Sequence, residues 1–349
     1  MDKQAIHRSA RHGSLRLPIL AALFSALAAC GGGDDSSGRP SGGNVTTAPA
    51  AAQGGASPTT AAATSTYAQG SEELAAFNFL NGERGRCGFG QLAQNASLDA
   101  AAKAHADYQL VNNFFSHTED RVNFPAGFTG TTMTDRFAVQ GYTNWGGAVD
   151  EISGITGIAD KAGFGVSGMR NLLNAPYHLK GMMSGMRDAG VAVRSSQDTG
   201  TSTPRVILQW DGAYLRSVGP QTLGAADVLT YPCEGSTGVN RLLANQSPEP
   251  VPGRNLLAEP LGTSVYVATR AGNTLVVSTV AMTNAGNGNP VTLRGVVTAA
   301  NDPQREYGRG EAYVAADAPL EPNTAYQVNV TGTNNGAAFT RSFTFTTGP

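Results

Sequence analysis

Five histidines occur in the 349 residues, and two of them, His7 and His12, lie among the basic residues of the first dozen positions. The remaining three, His105, His117 and His178, are few enough that each invites a chemical reading. Imidazole titrates near neutrality and ligates metals, so proton transfer and metal binding are the chemistries to weigh. His117 sits in Asn113-Phe114-Phe115-Ser116-His117-Thr118, and His178 in Leu173-Asn174-Ala175-Pro176-Tyr177-His178. Between them, Trp145 and two glycines precede Val149-Asp150-Glu151-Ile152, which offers two adjacent carboxylates. His105 lies seven residues after Leu98, on the same face of an Ala-rich helix, and reads as a buried, hydrogen-bonded imidazole. Common enzyme signatures are missing: there is no His-Glu-x-x-His, no Gly-x-Ser-x-Gly and no Gly-x-x-x-x-Gly-Lys-Ser/Thr.

The elements that must position these residues begin with an N-terminal address. Lys3, Arg8, Arg11 and Arg16 precede an apolar run from Leu17 to Leu27, with no acid after Asp2. That order is a secretory signal, over residues 1–29, and its apolar run falls short of the roughly 20 residues a membrane span needs. Leu27-Ala28-Ala29-Cys30 resembles the bacterial lipobox, which would acylate Cys30 and tether the chain to a membrane. Gly31 in place of Asp favours the outer membrane in a Gram-negative host, whereas an ordinary signal ending near a Cys is the plainer alternative. With Cys30 lipidated, Cys87 and Cys233 remain, and in an exported chain they are most economically one disulfide. Neither has a His in local reach, which weakens the rival reading of a thiol nucleophile.

Residues 30–69 are Gly, Ser, Thr, Ala and Pro with almost no large apolar side chain, a composition that does not repay its ordering entropy. They read as a disordered leash with an r.m.s. span of roughly 35 Å. Order is predicted from Ser71, an N-cap followed by Glu72 and Glu73, with the helix ending near Cys87 at Gly85 and Gly88. A second helix is predicted over Ser97 to Asn112, an irregular stretch over about 120–168, and a helical piece from Gly168 that Pro176 stops. Short strands follow at Ala189–Val193 and Val206–Trp210.

After Cys233 the composition turns β-rich, with runs at Ser264–Ala268, Leu275–Met282, Val291–Thr298, Tyr326–Thr331 and Thr340–Thr346. Phe339, Phe343 and Phe345 share one face of the last run and its threonines the other, the period-2 pattern of a strand with one wet face. Several such runs argue a β-sandwich, and Pro319 to Tyr326 resembles the start of a strand in fibronectin or Ig-like domains. Pro248, Pro250 and Pro252 indicate a stiff connector over 236–260. A net charge of −2 without a basic stripe excludes nucleic acid as an expected partner.

Taken in order, these pieces resemble the CAP superfamily (cysteine-rich secretory protein, antigen 5, pathogenesis-related 1; the SCP domain), in its bacterial branch. The resemblance rests on Asn81-Gly82-Glu83-Arg84, Leu92 to Leu98, Ala101 to His105, Phe115 to Thr118, Arg136, Gly141-Tyr142, Asp150-Glu151-Ile152, Ala175 to His178 and Gly190-Val191, and covers roughly residues 71–215. Neither the Gly nor the Asn that the family places around its Glu flanks Glu151, and Asp150 competes for the same slot. The resemblance implies an α+β chain: a CAP-type α-β-α sandwich over 70–235, then an Ig-like β-sandwich over 261–349. It further implies an open cleft holding His117, Glu151 and His178, a donor set suited to zinc with one position left for water or ligand. Asn81 and Arg84 would anchor the first helix, and Tyr142 and Tyr177 would either roof the cleft or pack. Three functions follow: a surface-displayed module binding an extracellular lipid, glycan or protein; a metal-dependent hydrolase or peptidase; or a structural envelope protein with a vestigial cleft.

Overall fold

The computed structural model describes Pro58 and residues 64–349. The signal, the lipobox at Cys30 and most of the leash lie outside the described residues. The first half runs α1 (Glu72–Cys87), β1 (Ala93–Gln94), α2 (Ala96–Asn112), α3 (Met133–Val139), β2 (Trp145–Thr156), α4 (Phe164–Asn174), α5 (Pro176–Met183), β3 (Asp188–Ser195), α6 (Ser196–Thr199) and β4 (Arg205–Leu215). Local chemistry sets the helix ends. The Ser71 hydroxyl accepts the Leu74 N–H at 3.1 Å, Glu72 and Glu73 sit in the first turn of α1, and Gly88 closes it with φ 85. Asn95 caps α2 through the N–H groups of Ser97 and Leu98, and Asn113 ends it with φ 49.

The sheet has the order β1-β3-β4-β2, with β1 parallel to β3 and the other pairs antiparallel. Helices cover both faces. Val191, Val193, Leu208 and Trp210 pack with residues of α1, α4 and α5, while Ile152, Ala192 and Ile207 pack with Ala102, Ala106 and Leu110 of α2. Alternate residues of each strand thus serve opposite layers. Gly190 lets α2 lie directly on β3: a Cβ there would sit 2.1 Å from the Leu98 carbonyl carbon.

The second half contributes β5 (Val228–Tyr231), β6 (Ser264–Thr269), β7 (Leu275–Asn284), β8 (Val297–Thr298), β9 (Glu311–Ala315), β10 (Ala325–Asn334) and β11 (Ala337–Thr346). They form one sheet of order β5-β6-β9-β8 and another of order β11-β10-β7. Val265, Val267 and Val314 of the first share a core with Val328, Val330, Phe343 and Phe345 of the second. The chain is therefore α+β. Among the described residues no helix is long and apolar enough to cross a membrane.

Several boundaries differ from the sequence reading. Order begins before residue 70: the Thr66 N–H donates to Gln94 Oε1 at 2.6 Å, and the Tyr67 ring meets Phe77 edge-on at 5.6 Å. Tyr67 is the one aromatic side chain in that stretch, and its partial burial offsets the cost of fixing it. Strand β5 falls within the span expected to close the first domain, yet it pairs with β6 of the second half. Residues 236–260 are not a free connector. Leu243 exchanges backbone bonds with Leu261 at 2.8 and 3.1 Å, and Leu243 and Leu256 are buried with Ala175 and Ala315. The prolines masked these spaced apolar anchors.

The stretch expected to be irregular over 120–168 holds α3 and the twelve-residue β2, whose glycines and mixed polarity hide a strand. Pro176 opens α5 rather than merely ending α4, the N1 position a proline tolerates. Only Val297–Thr298 of the run expected from Val291 is a strand, and β9 was not anticipated.

Candidate functional site

Each of the three candidate side chains rides on a different element. His117 sits in the turn after α2, and His105 inside α2 holds that turn. The buried His105 ring meets Glu119 through Nδ1 at 3.0 Å, and its Nε2 donates to the Ser116 carbonyl at 2.9 Å. Glu119 also accepts the N–H groups of Thr129 at 2.6 Å and Gly130 at 3.1 Å. Burial works against the charge on Glu119, but His105 and these donors outweigh it and hold the carboxyl below its usual range. His105 is thus the satisfied core imidazole that its helix position implied, and its partners fix the loop on either side of His117.

Strand β2 separates Asp150 and Glu151 onto opposite faces of the sheet, as period 2 requires. Asp150 meets His117 Nδ1 at 3.3 Å and accepts from Arg136 Nη2 at 2.8 Å; the other arm of that guanidinium donates to the His117 carbonyl at 3.1 Å. Burial opposes ionisation of Asp150, yet His117 and Arg136 prevail and keep it low. Burial likewise disfavours charge on His117, but the hydrogen bond and charge of Asp150 win and its pKa is raised. Opposite Asp150 in the β2–β4 register lies the fully buried Asp211, pushed up to about 8 by burial and by Asp150. Two neighbouring carboxyls are thereby held in different protonation states.

Glu151 turns the other way, to α5, where its carboxylate bonds His178 Nδ1. Burial pushes the Glu151 carboxyl up, partly offset by His178 and His117. His178 lies in the first turn of α5, and Gly181, three residues on, shares its face. A Cβ on Gly181 would stand 2.0 Å from Glu151 Oε1, so the glycine makes room for the carboxylate. One ligand atom from each of His117, Glu151 and His178 lies within 4.8 Å of the others, and the two imidazoles face each other at 6.2 Å and 27°. His117 is 46% exposed in its side chain and Glu151 buried, so the trio runs from solvent inward. Two imidazole nitrogens and a carboxylate oxygen suit a zinc-like cation, and only small side-chain adjustments separate this spacing from coordination.

His117 and His178 line a cleft of about 580 Å³, and the buried Glu151 stands behind them, outside its lining. Its walls come from Phe115 to His117, from Ile152 to Gly154 on β2, from α4 and α5, and from residues 242–247. That last wall was missed by sequence reasoning, which took the segment for a linker; the apolar pair Leu242-Leu243 was the signal. Arg136 and Gly181 were also missed as contributors to the site. Tyr142 donates to Asp188 at 2.7 Å and packs on Phe137, and Tyr177 donates to Asp302 at 2.6 Å, so both are structural. Asn81 brackets Leu92 through its N–H and carbonyl, and the buried Arg84 spans the carbonyls of Phe89, Gly90 and Met182, which anchors α1. Cys87 and Cys233 are bonded, with Cα atoms 5.5 Å apart, so neither is a free nucleophile.

No protein-family model matches the sequence, and no curated protein matches it. Among solved structures, an outer surface protein from Borrelia burgdorferi superposes with a TM-score of 0.34 at 14% identity, over 43% of this chain and 97% of that one. An extracellular protein containing a SCP domain from Bacillus anthracis gives 0.30 at 21% identity, over 40% of this chain and 39% of that one.

Proposed function

We propose that this protein is an exported envelope lipoprotein, anchored through Cys30, whose CAP-like first half presents a metal-binding, ligand-binding cleft to the extracellular side. The single supporting observation is the convergence of His117, Glu151 and His178, from a loop, a strand and a helix, with both imidazoles lining one cleft and the carboxyl buried behind them. Helices on both faces of a four-stranded sheet agree with the α-β-α sandwich of that family, and the two sheets of the second half agree with an Ig-like spacer. The signal and lipobox of the sequence support export and the tether.

His117, Glu151 and His178 are the residues that would hold a divalent cation. Such a cation would supply Lewis acidity and acidify a bound water. Asp150, itself held by Arg136, would orient the His117 ring. A second reading, a metal-dependent hydrolase, draws on the buried Glu151 with its raised pKa, a carboxyl placed to exchange a proton beside the cleft. Zinc content of the untagged protein, measured after dialysis against sub-stoichiometric chelator, tests the first reading. One zinc per chain, lost in both His117→Ala and His178→Ala, is expected. No bound zinc at micromolar free metal overturns it, and an ester and peptide substrate screen then separates binder from catalyst.

A further inference from the structure

The cleft draws its walls from both layers of helices. Phe115 and His117 come from the α2 side of the sheet, while Asn171, Leu172 and His178 come from the α4–α5 side. A space bounded from both faces and floored by Ile152 to Gly154 can lie only along the sheet's rim, and β2 is the outermost strand. The rim there carries unused backbone hydrogen-bonding groups, and the register says which. The Gly157 N–H donates to the Pro204 carbonyl at 2.8 Å, so Gly157 and Pro204 form a bonded pair. Pairing runs on without a shift from Thr156–Arg205 through Glu151–Trp210. Bonded and non-bonded pairs alternate in an antiparallel ladder, so residues 151, 153 and 155 face β4 and residues 152, 154 and 156 face outward. Among the described residues no backbone hydrogen bond engages these outward groups.

We propose that the cleft's ligand is a polypeptide segment bound in extended form, adding a strand to the free edge of β2 at Ile152, Gly154 and Thr156. This deepens the cleft reading above and rests on it. An outward row of N–H and C=O groups at strand spacing is complementary to an extended peptide backbone and to little else. The flanks fit that occupant. The Phe115 ring lies against Gly154, where a Cβ would come within 2.7 Å of it, and is 51% exposed, so it offers an apolar face to a side chain beside the strand. Apart from His117 and His178 the lining holds no titratable side chain, so an uncharged stretch of peptide is the match. Strand addition at residues 152–156 would bring a peptide unit alongside Glu151 and the two imidazoles.

The test titrates the whole protein with acetyl- and amide-blocked octapeptides from a library of uncharged residues, once in chelator and once with zinc. The best binder is then N-methylated at each backbone nitrogen in turn. Alternate positions should each lose about threefold to tenfold in affinity while those between do not, because only every second N–H of an added strand faces β2. Backbone amides of Ile152, Gly154 and Thr156 should gain protection from hydrogen exchange on binding, with those of Ser153 and Ile155 already protected in the free protein. No peptide binding up to millimolar concentration, or binding without the alternation, overturns the proposal. So does preferential binding of an N-acetylglucosamine tetramer or of phosphatidylethanolamine vesicles. The chelator arm reads the strand edge alone and the zinc titration reads the trio alone, so either idea can fail without the other.

Discussion

Asp150 and Glu151 are adjacent in sequence and clasp two different histidines from opposite sides of one strand: Asp150 takes His117, and Glu151 takes His178. Because β2 is the rim of its sheet, the His117 loop and α5 can reach past that rim from opposite layers and bring the two imidazoles face to face. An interior strand would keep the pairs apart.

That clasp sets a pH dependence. Asp150 raises the pKa of His117, and a metal competes with the proton for imidazole, so zinc affinity should start to fall at a pH above the ordinary histidine range as the solution is acidified. Asp150→Asn removes the charge that favours imidazolium and should move this midpoint to lower pH. It should also weaken zinc about 10- to 100-fold at pH 8, since the ring loses its orienting carboxylate. Isothermal titration of zinc between pH 5.5 and 8 checks both; an unmoved midpoint would count against the Asp150–His117 contact.

Gly181→Ala is the sharpest probe of the other clasp. Its Cβ would stand 2.0 Å from Glu151 Oε1, so the carboxylate must shift, and the oxygen that meets His178 moves with it. A cost of about 1–3 kcal/mol is typical of such overpacking, so the variant should remain folded by circular dichroism yet bind zinc at least as poorly as His178→Ala. Metal affinity equal to the parent would mean that the carboxylate has another way to reach His178.

Asp211 makes a prediction of opposite sign to the usual carboxylate. Its pKa is raised to about 8 in the folded state, so the folded chain holds a proton that the unfolded chain gives up near pH 4. The parent should therefore lose stability as pH climbs from about 4 to about 8, by at most roughly 1.4 kcal/mol per pH unit from this group. Asp211→Asn should flatten that part of the curve in urea melts recorded at several pH values. Parallel curves for parent and variant would show that Asp211 is ionised in the folded protein.

Cys87 and Cys233 close a loop spanning a sequence separation of 146 residues. In the chain-entropy model such a link is worth about 5 kcal/mol. The Cys87→Ser, Cys233→Ser double variant should denature at much lower urea, and the unfolded parent should present no free thiol from this pair. Two titratable thiols would contradict the bond.

How much of this was legible in the sequence depended on whether a signal was local. Ser71 and the alternating phenylalanines of β11 announce themselves within a few residues, and the structure follows them. Strand β2 did not, because Gly146, Gly147, Asp150 and Gly154 dilute its apolar pattern, and what makes it a strand is its long pairing with β4. The trio could be named only through a family resemblance, since no spacing rule relates positions 117, 151 and 178. The wall at residues 242–247 was hidden by the prolines that follow it at 248, 250 and 252 and by the assumption that chain between two folded halves is idle.

That assumption has a practical edge. The stretch after Cys233 walls the cleft, and β5 before it belongs to the far sheet. A fragment trimmed at residue 235 would therefore carry an orphaned strand and an open-sided recess, and a blank result from it would speak of the cut and not of the protein. Ligand screens belong on the intact chain, where one half supplies the floor and its neighbour the fence.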